Sequence, residues 1–135
     1  MLLDTSGLLC FLDRRDFRHR DAAALFMAAT SRLTHNYVVA ELVALAQARG
    51  VPRNEILEFC RDLIDNPVVR FTWVDRELHE ASVALLQARA DKLWSLCDAV
   101  SFVLMSRENV HEALTTDHHF TQAGYIQLLA SGTRG

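Results

Sequence analysis

The chain has a single lysine, Lys92, and every other basic residue is arginine. It has only three cysteines, Cys10, Cys60 and Cys97. They are odd in number, far apart and form no CxxC pair, which argues against a disulfide framework. Each is expected to behave as a small buried hydrophobe. No apolar run approaches the roughly 18 residues a membrane span needs. No basic region precedes an apolar stretch at the start, where "MLLDTSG" already places an acid at Asp4. The expectation is a soluble cytoplasmic protein with no membrane partner. An excess of positive charge is also missing: Asp+Glu 17 against Lys+Arg 14 gives a net charge of −3, which argues against coating nucleic acid by bulk charge. Low-complexity segments, internal repeats and long linkers are absent, so residues 1–135 are read as one domain with one core.

What is present is a well-packed globular composition, 50% hydrophobic. "MLLD" reads as a short buried strand ending at Asp4, and "SGLLCFL" as the start of a helix. "DAAALFMAAT" is a strong helix and "RLTH" a short strand. "NYVVAELVALAQARG" is an amphipathic helix, with Asn36 as its expected N-cap and Gly50 as its C-cap signal. "PRNEILEFCRDLIDN" begins with Pro52 near a helix start and breaks at Asn66–Pro67. "VVRFTWV" is a β-branched and aromatic strand. "DRELHEASVALLQARA", capped by Asp75, and "SLCDAVSFVLMSREN" are helices. "EALTT" is a strand, "HHFTQAG" a helical turn and "YIQLL" a last strand. Strands that alternate with helices predict an α/β sandwich with a mostly parallel sheet. In such sheets ligands bind beyond the carboxyl ends of the strands.

Four acids stand in unusual company. Asp4 follows three apolar residues at a strand end, where an Asx turn or N-cap is the structural alternative. Glu41 has Tyr37, Val38, Ala44 and Leu45 as its helical neighbours, and no cation. An unpaired acid is costly to bury there, so its alternative is to point outward from the edge of the apolar stripe. Asp98 has Trp94, Ser95, Ser101 and Phe102 at the same spacings; its alternative is a first-turn acid favoured by the helix dipole. Asp117 directly follows "ALTT" and could cap "HHFTQ". Clustered carboxylates raise one another's pKa, and a divalent cation offsets their repulsion. Oxygen-only ligands point to Mg²⁺ or Mn²⁺. Such a cluster is suited to phosphodiester hydrolysis.

Arg14, Arg15, Arg18 and Arg20 crowd one stretch, interleaved with Asp13, Asp16 and Asp21. The bland reading is a solvated face. The sharper one is an edge that contacts phosphate, since guanidinium offers a planar fork of donors.

"LLDTSGLL", "YVVAELVAL", "DKLWSLCDAVSFVLM" and "ALTTDHHFTQAGY", in that order and spacing, resemble a PIN-domain ribonuclease, and most closely the VapC-type toxins of bacterial toxin–antitoxin pairs. The resemblance covers nearly the whole chain. It implies a three-layer α/β/α fold on a parallel sheet of about five strands. It also implies Mg²⁺- or Mn²⁺-dependent endonucleolytic cleavage of RNA by a metal-activated water, leaving 5′-phosphate and 3′-hydroxyl ends. It matches the metal-site acids to Asp4, Glu41, Asp98 and Asp117. It places Thr115 and Ser95 where small hydroxyl residues orient those carboxylates. Arg14, Arg15 and Arg18 become candidates for holding flanking phosphates. The expected partners are RNA, a cognate antitoxin and a second copy of the chain, with "DAAALFMAAT" and "EILEFCRDLI" as candidate apolar docking faces. The chain departs from the pattern at Cys97, where this branch often has Thr before the third acid.

Other strand-end aspartate enzymes fit less well. A haloacid-dehalogenase-like phosphatase needs a second Asp two residues after the first, where this chain has Ser6. A receiver domain needs an acid pair near the first strand end and a late lysine. A stand-alone RNA-processing PIN nuclease and a non-catalytic binding module that retains the acids remain as alternatives. Asp117, His118 and His119 also invite a zinc reading. Adjacent side chains on a helical turn diverge by about 100°, and no Cys or His motif at zinc-like spacing supplies further ligands. The expectation therefore divides them: Asp117 joins the acid cluster, His119 packs or caps, and His118 is either idle or close enough to touch RNA.

Overall fold

The computed structural model describes residues 1–132. Five short strands form one sheet: β1 (Leu2–Leu3), β2 (Arg32–His35), β3 (Val69–Thr72), β4 (Glu112–Leu114) and β5 (Ile126–Gln127). Their order is β3-β2-β1-β4-β5, and all four pairings are parallel. The helices are α1 (Thr5–Leu12), α2 (His19–Ala28), α3 (Asn36–Ala48), α4 (Arg53–Asp65), α5 (Arg76–Ala88), α6 (Leu96–Glu108) and α7 (His119–Gln122).

Alternation along the central strands builds the layers. Leu3 and Leu114 face a core made with α1 to α4, through residues such as Leu8, Ala22, Leu42 and Ile56. Leu2 and Ala113 face a second core made with α5 to α7, through Leu78, Val100, Met105 and Phe120. The result is the three-layer α/β/α sandwich with a parallel sheet that the sequence predicts. Strands buried on both faces read as continuous apolar runs, which is why "MLL" and "AL" are legible as strands despite their brevity.

Some helix ends follow local chemistry and others do not. Asp75 accepts from Leu78 N and caps α5. Gly50, at φ +84°, closes the end of α3. Asn36, expected as the N-cap of α3, is instead its first residue, and His35 holds the cap position. The Asn36 amide oxygen accepts from Val74 N at 2.6 Å, so the side chain fastens α3 to the segment after β3. Arg32 is buried in β2 because its guanidinium donates to the Phe26 and Met27 carbonyls at 2.9 and 3.3 Å, among the last carbonyls of α2. All three cysteines are free and buried, as expected. Among the described residues, no helix is long and apolar enough to cross a membrane.

The expected docking helices differ: α4 buries Ile56, Cys60 and Leu63, whereas α2 fully buries only Ala22, with Phe26 half-buried. Phe26 of α2 stacks on Phe11 at 4.7 Å and Phe59 of α4 meets the same ring at 5.6 Å. Met27 and Leu57 remain exposed on these two helices.

The topology fixes where a site can form. From β1 the chain moves outward to β2 and β3, then returns to the other side of β1 as β4. The sheet reverses its order between β1 and β4, and a crevice opens beyond the carboxyl ends of those two strands. Gly7 lets α1 approach that point: a Cβ there would lie 1.9 Å from the Leu114 carbonyl oxygen.

Candidate active site

The four singled-out acids come from four different elements and line one cleft of about 350 Å³, together with Ser6, Leu9, Leu45, Ala48 and Arg49. Asp4 directly follows β1, Glu41 lies on α3, Asp98 lies in the first turn of α6, and Asp117 follows β4 by three residues.

Asp4 is buried. It holds the N-cap position of α1 but makes no side-chain capping bond, so the capping alternative is not realised. Its Oδ2 instead accepts from the Thr115 hydroxyl at 2.7 Å and from the Ser6 hydroxyl at 3.1 Å. Burial, reinforced by the charge of Asp98, raises its pKa to about 7 against the pull of the Thr115 hydrogen bond. Thr115 is fully buried, and its oxygen also accepts from Asp117 N at 3.0 Å, so one hydroxyl ties two of the acids together. Ser6 adds a second tie, accepting from Thr116 N at 2.9 Å. Thr115 thus sits where orienting a carboxylate requires.

Asp98 does two things at once. With Ser95 it forms a capping box: Asp98 N donates to Ser95 Oγ at 3.0 Å, and Ser95 N donates to Asp98 Oδ2 at 3.1 Å. The cap therefore orients the carboxylate as it starts the helix. Cys97 is buried, its thiol pushed up in pKa chiefly by burial, so it stands among the acids as a neutral thiol. Glu41 is exposed, as its outward alternative requires, but the direction it faces is the cleft. Lost water and the nearby Asp98 charge raise its pKa, with Cys97 and Thr5 pulling the other way.

The histidines depart from expectation. His119 is more than a packing residue: its Nδ1 lies 2.9 Å from Asp98 Oδ2 and 3.3 Å from Asp117 Oδ2, bridging two of the acids. Asp117 also accepts from His119 N at 2.9 Å, so it caps the turn as well as lining the cleft. His118 is exposed, with its ring 4.8 Å from that of His119 and its Nδ1 3.7 Å from Asp117. The expected divergence of the two rings does not hold, because ligand atoms of Asp117, His118 and His119 lie within 4.8 Å of one another.

The arginines divide. Arg18 is only 13% exposed and binds Asp16 at 3.0 Å through both Nε and Nη2, while its Nη1 donates to the Ala130 carbonyl at 3.1 Å. Its guanidinium is thus engaged by Asp16 and by the Ala130 carbonyl. Arg15 binds Asp13 at 3.1 Å and the Arg49 carbonyl at 2.7 Å. Arg14 is exposed and does not line the cleft. Asp13 and Asp16 are therefore structural partners of these arginines, with side chains largely buried rather than on the solvated face of the bland reading. The cation that does line the cleft is Arg49, which the sequence reading passed over. The available signal was its position eight residues after Glu41, on the same helical stripe.

The donor set fits a hard divalent cation. Four carboxylates face one space, Asp4 and Glu41 contact no protein cation among the described residues, and burial, with the Asp98 charge adding to it, raises the pKa of Asp4.

A family model for the PIN domain matches residues 1–124. Two curated relatives, the 23S rRNA-specific endonucleases VapC20 of two Mycobacterium tuberculosis strains, are each 26% identical over 129 residues. The match covers 95% of this chain and 97% of theirs. The crystal structure of Mycobacterium tuberculosis VapC20, described as a sarcin–ricin loop cleaving toxin, superposes with a TM-score of 0.85 at 24% identity. It covers 93% of this chain and 96% of that one.

Proposed function

The chain belongs to the PIN-domain family, and from that premise we propose that it is a divalent-metal-dependent endoribonuclease acting as the toxin of a toxin–antitoxin pair. The observation that carries the reading is the convergence of Asp4, Glu41, Asp98 and Asp117 on one cleft at the sheet's switch point. Asp4, Asp98 and Asp117 hold Mg²⁺ or Mn²⁺, and Glu41 binds or positions a second ion. A cation bound there supplies acidity to water and charge to the phosphate. Thr115 and Ser6 fix the Asp4 carboxylate, Ser95 fixes Asp98, and His119 sets the angle between Asp98 and Asp117. These contacts prepay the ordering that a reactive geometry requires.

The relatives' named specificity makes 23S ribosomal RNA, at its sarcin–ricin loop, the first substrate to test. An antitoxin partner and a homodimeric state belong to the same proposal. Purified wild-type chain is expected to cut ribosomal RNA in Mg²⁺ and to stop in EDTA, while Asp98→Asn stays folded and inactive. Sequencing RNA 5′ ends after induced expression of each form identifies the site. Equal cleavage by wild type and Asp98→Asn rejects the assignment.

A further inference from the structure

One wall of the cleft is a single stripe of α3. Glu41, Leu45, Ala48 and Arg49 all line it, at spacings of four, seven and eight residues. Eight residues at 1.5 Å put Arg49 about 12 Å along the axis from Glu41. Among the described residues Arg49 is the only cation lining the cleft. Its position is built. Nη1 donates to Asp16 Oδ2 at 3.1 Å and to Asp13 Oδ2 at 3.5 Å. Those carboxylates are themselves fixed by Arg18 and Arg15, and Arg15 also donates to the Arg49 carbonyl. Three arginines against two aspartates leave one positive charge in surplus. Nε and Nη2 of Arg49 have no partner among the described residues, so one edge of its fork stays open, and the side chain is 36% exposed. Between the acid end and the cationic end, the exposed side chain of Leu45 offers apolar surface.

The order along the stripe is acid, apolar, cation. Resting on the endoribonuclease reading above, we propose that Arg49 binds a backbone phosphate flanking the scissile one, with the intervening nucleotide against Leu45. The role the sequence offered to Arg14, Arg15 and Arg18 thus passes to Arg49, and Arg15 and Arg18 aim it through Asp13 and Asp16. An open guanidinium edge suits a phosphate better than an ammonium does.

The test uses a synthetic RNA hairpin carrying the sarcin–ricin loop sequence. Its binding is followed by fluorescence anisotropy in the cleavage-blocked Asp98→Asn background, across a salt series and without metal. Adding Arg49→Ala is expected to weaken binding about 10- to 100-fold, the scale of a charge-assisted hydrogen bond. It should also reduce the slope of log K against log salt by about 0.7–0.9, one phosphate contact. Arg49→Lys keeps the slope and binds with intermediate strength. Arg76→Ala, which removes an exposed arginine paired with Glu80 away from the cleft, changes neither. In steady-state cleavage by otherwise wild-type chain, Arg49→Ala raises KM with little change in kcat. Wild-type binding and salt slope for a folded Arg49→Ala chain overturn the proposal, as does a fall in kcat alone. Absence of cleavage by wild type, with Arg49-dependent binding intact, overturns the nuclease reading and, with it, the scissile register proposed for Arg49, leaving only its contact with a backbone phosphate.

Discussion

Asp4→Asn should make the metal-free protein more stable while abolishing cleavage. Asp4 is buried, and its carboxyl is raised from 3.8 to about 7 by burial and then by the charge of Asp98, against the hydrogen bond from Thr115. Between those two values the folded chain keeps a proton that the unfolded chain has released. Stability from this group is therefore full below pH 3.8 and is lost as pH rises toward 7. At 1.36 kcal/mol per pH unit, the ionised form carries a penalty of about 4 kcal/mol above neutrality, which is an upper bound. Asparagine keeps an oxygen to accept from Thr115 and Ser6 and carries no charge. We expect it to recover about 1–3 kcal/mol at pH 8, or roughly 4 °C of melting temperature per kcal/mol for a chain of this size.

The assay is thermal unfolding in EDTA at pH 5 and pH 8, followed by the same scans in Mg²⁺. The gain from Asp4→Asn is expected to be large at pH 8 and to shrink at pH 5. Mg²⁺ is expected to raise the melting temperature of the wild type far more than that of the variant, since a ligand at 100 times its Kd adds about 2.7 kcal/mol. If Asp4→Asn melts at or below wild type in EDTA at pH 8, or if the gap ignores pH, then the acid cluster is not under electrostatic tension and the reasoning fails.

Gly7→Ala would press a Cβ to within 1.9 Å of the Leu114 carbonyl oxygen, forcing α1 off β4. It should cost at least about 1–3 kcal/mol and reduce cleavage in parallel, because Asp4 and Thr115 ride on the two displaced elements; an unchanged melting temperature refutes the contact. Thr115→Val keeps the shape but removes the donor to Asp4 and the acceptor for Asp117 N. Metal affinity, read by calorimetric titration, should fall about 10- to 100-fold, and wild-type affinity would show the hydroxyl to be dispensable. His35 is fully buried against Ser101, and burial lowers its pKa to about 3. The unfolded chain binds its proton below 6.5 and the fold does not, so stability falls as pH drops from 6.5 toward 3, by up to 1.36 kcal/mol per pH unit. His35→Gln should flatten that acid limb in denaturant titrations; an unaltered limb means that other groups govern it.

What was legible in the sequence was whatever short-range chemistry encodes. Strand-end acids, an Asp cap, a Gly stop and alternating strands and helices all announce themselves within a few residues. Glu41 and Asp98 could be picked out because each lacked a cation within helical reach, Asp4 and Asp117 because each directly follows a predicted strand. What the local view missed depends on distant partners. His119 meets Asp98, which lies 21 residues away, and no rule about adjacent side chains anticipates that bridge. Asn36 looked like a cap, yet its amide finds Val74 across the sheet. Arg18 looked free because a count of charges does not show that Asp16 binds it twice over.

The same chain handles its acids in two ways, and the contrast bears on whether it is an enzyme or a module that only retains the residues. Asp16 is bonded by Arg18 and held well below the usual carboxylate range. Asp13 is lowered too, by Arg15 and Arg49 acting against its burial. In the cleft, a few side chains away, the partners change character. Asp4 receives hydroxyls, Asp98 a backbone cap and an imidazole, and Glu41 no guanidinium among the described residues. A guanidinium would neutralise the carboxylate and fill the oxygens that a metal needs. A hydroxyl or a backbone N–H aims a carboxylate and leaves its charge in place. The arrangement leaves Asp4 without a cationic partner among the described residues, although arginines sit close by on Asp13 and Asp16. A purely structural role would be better served by the pairing used at Asp16; a cation-binding role requires the pairing to be withheld.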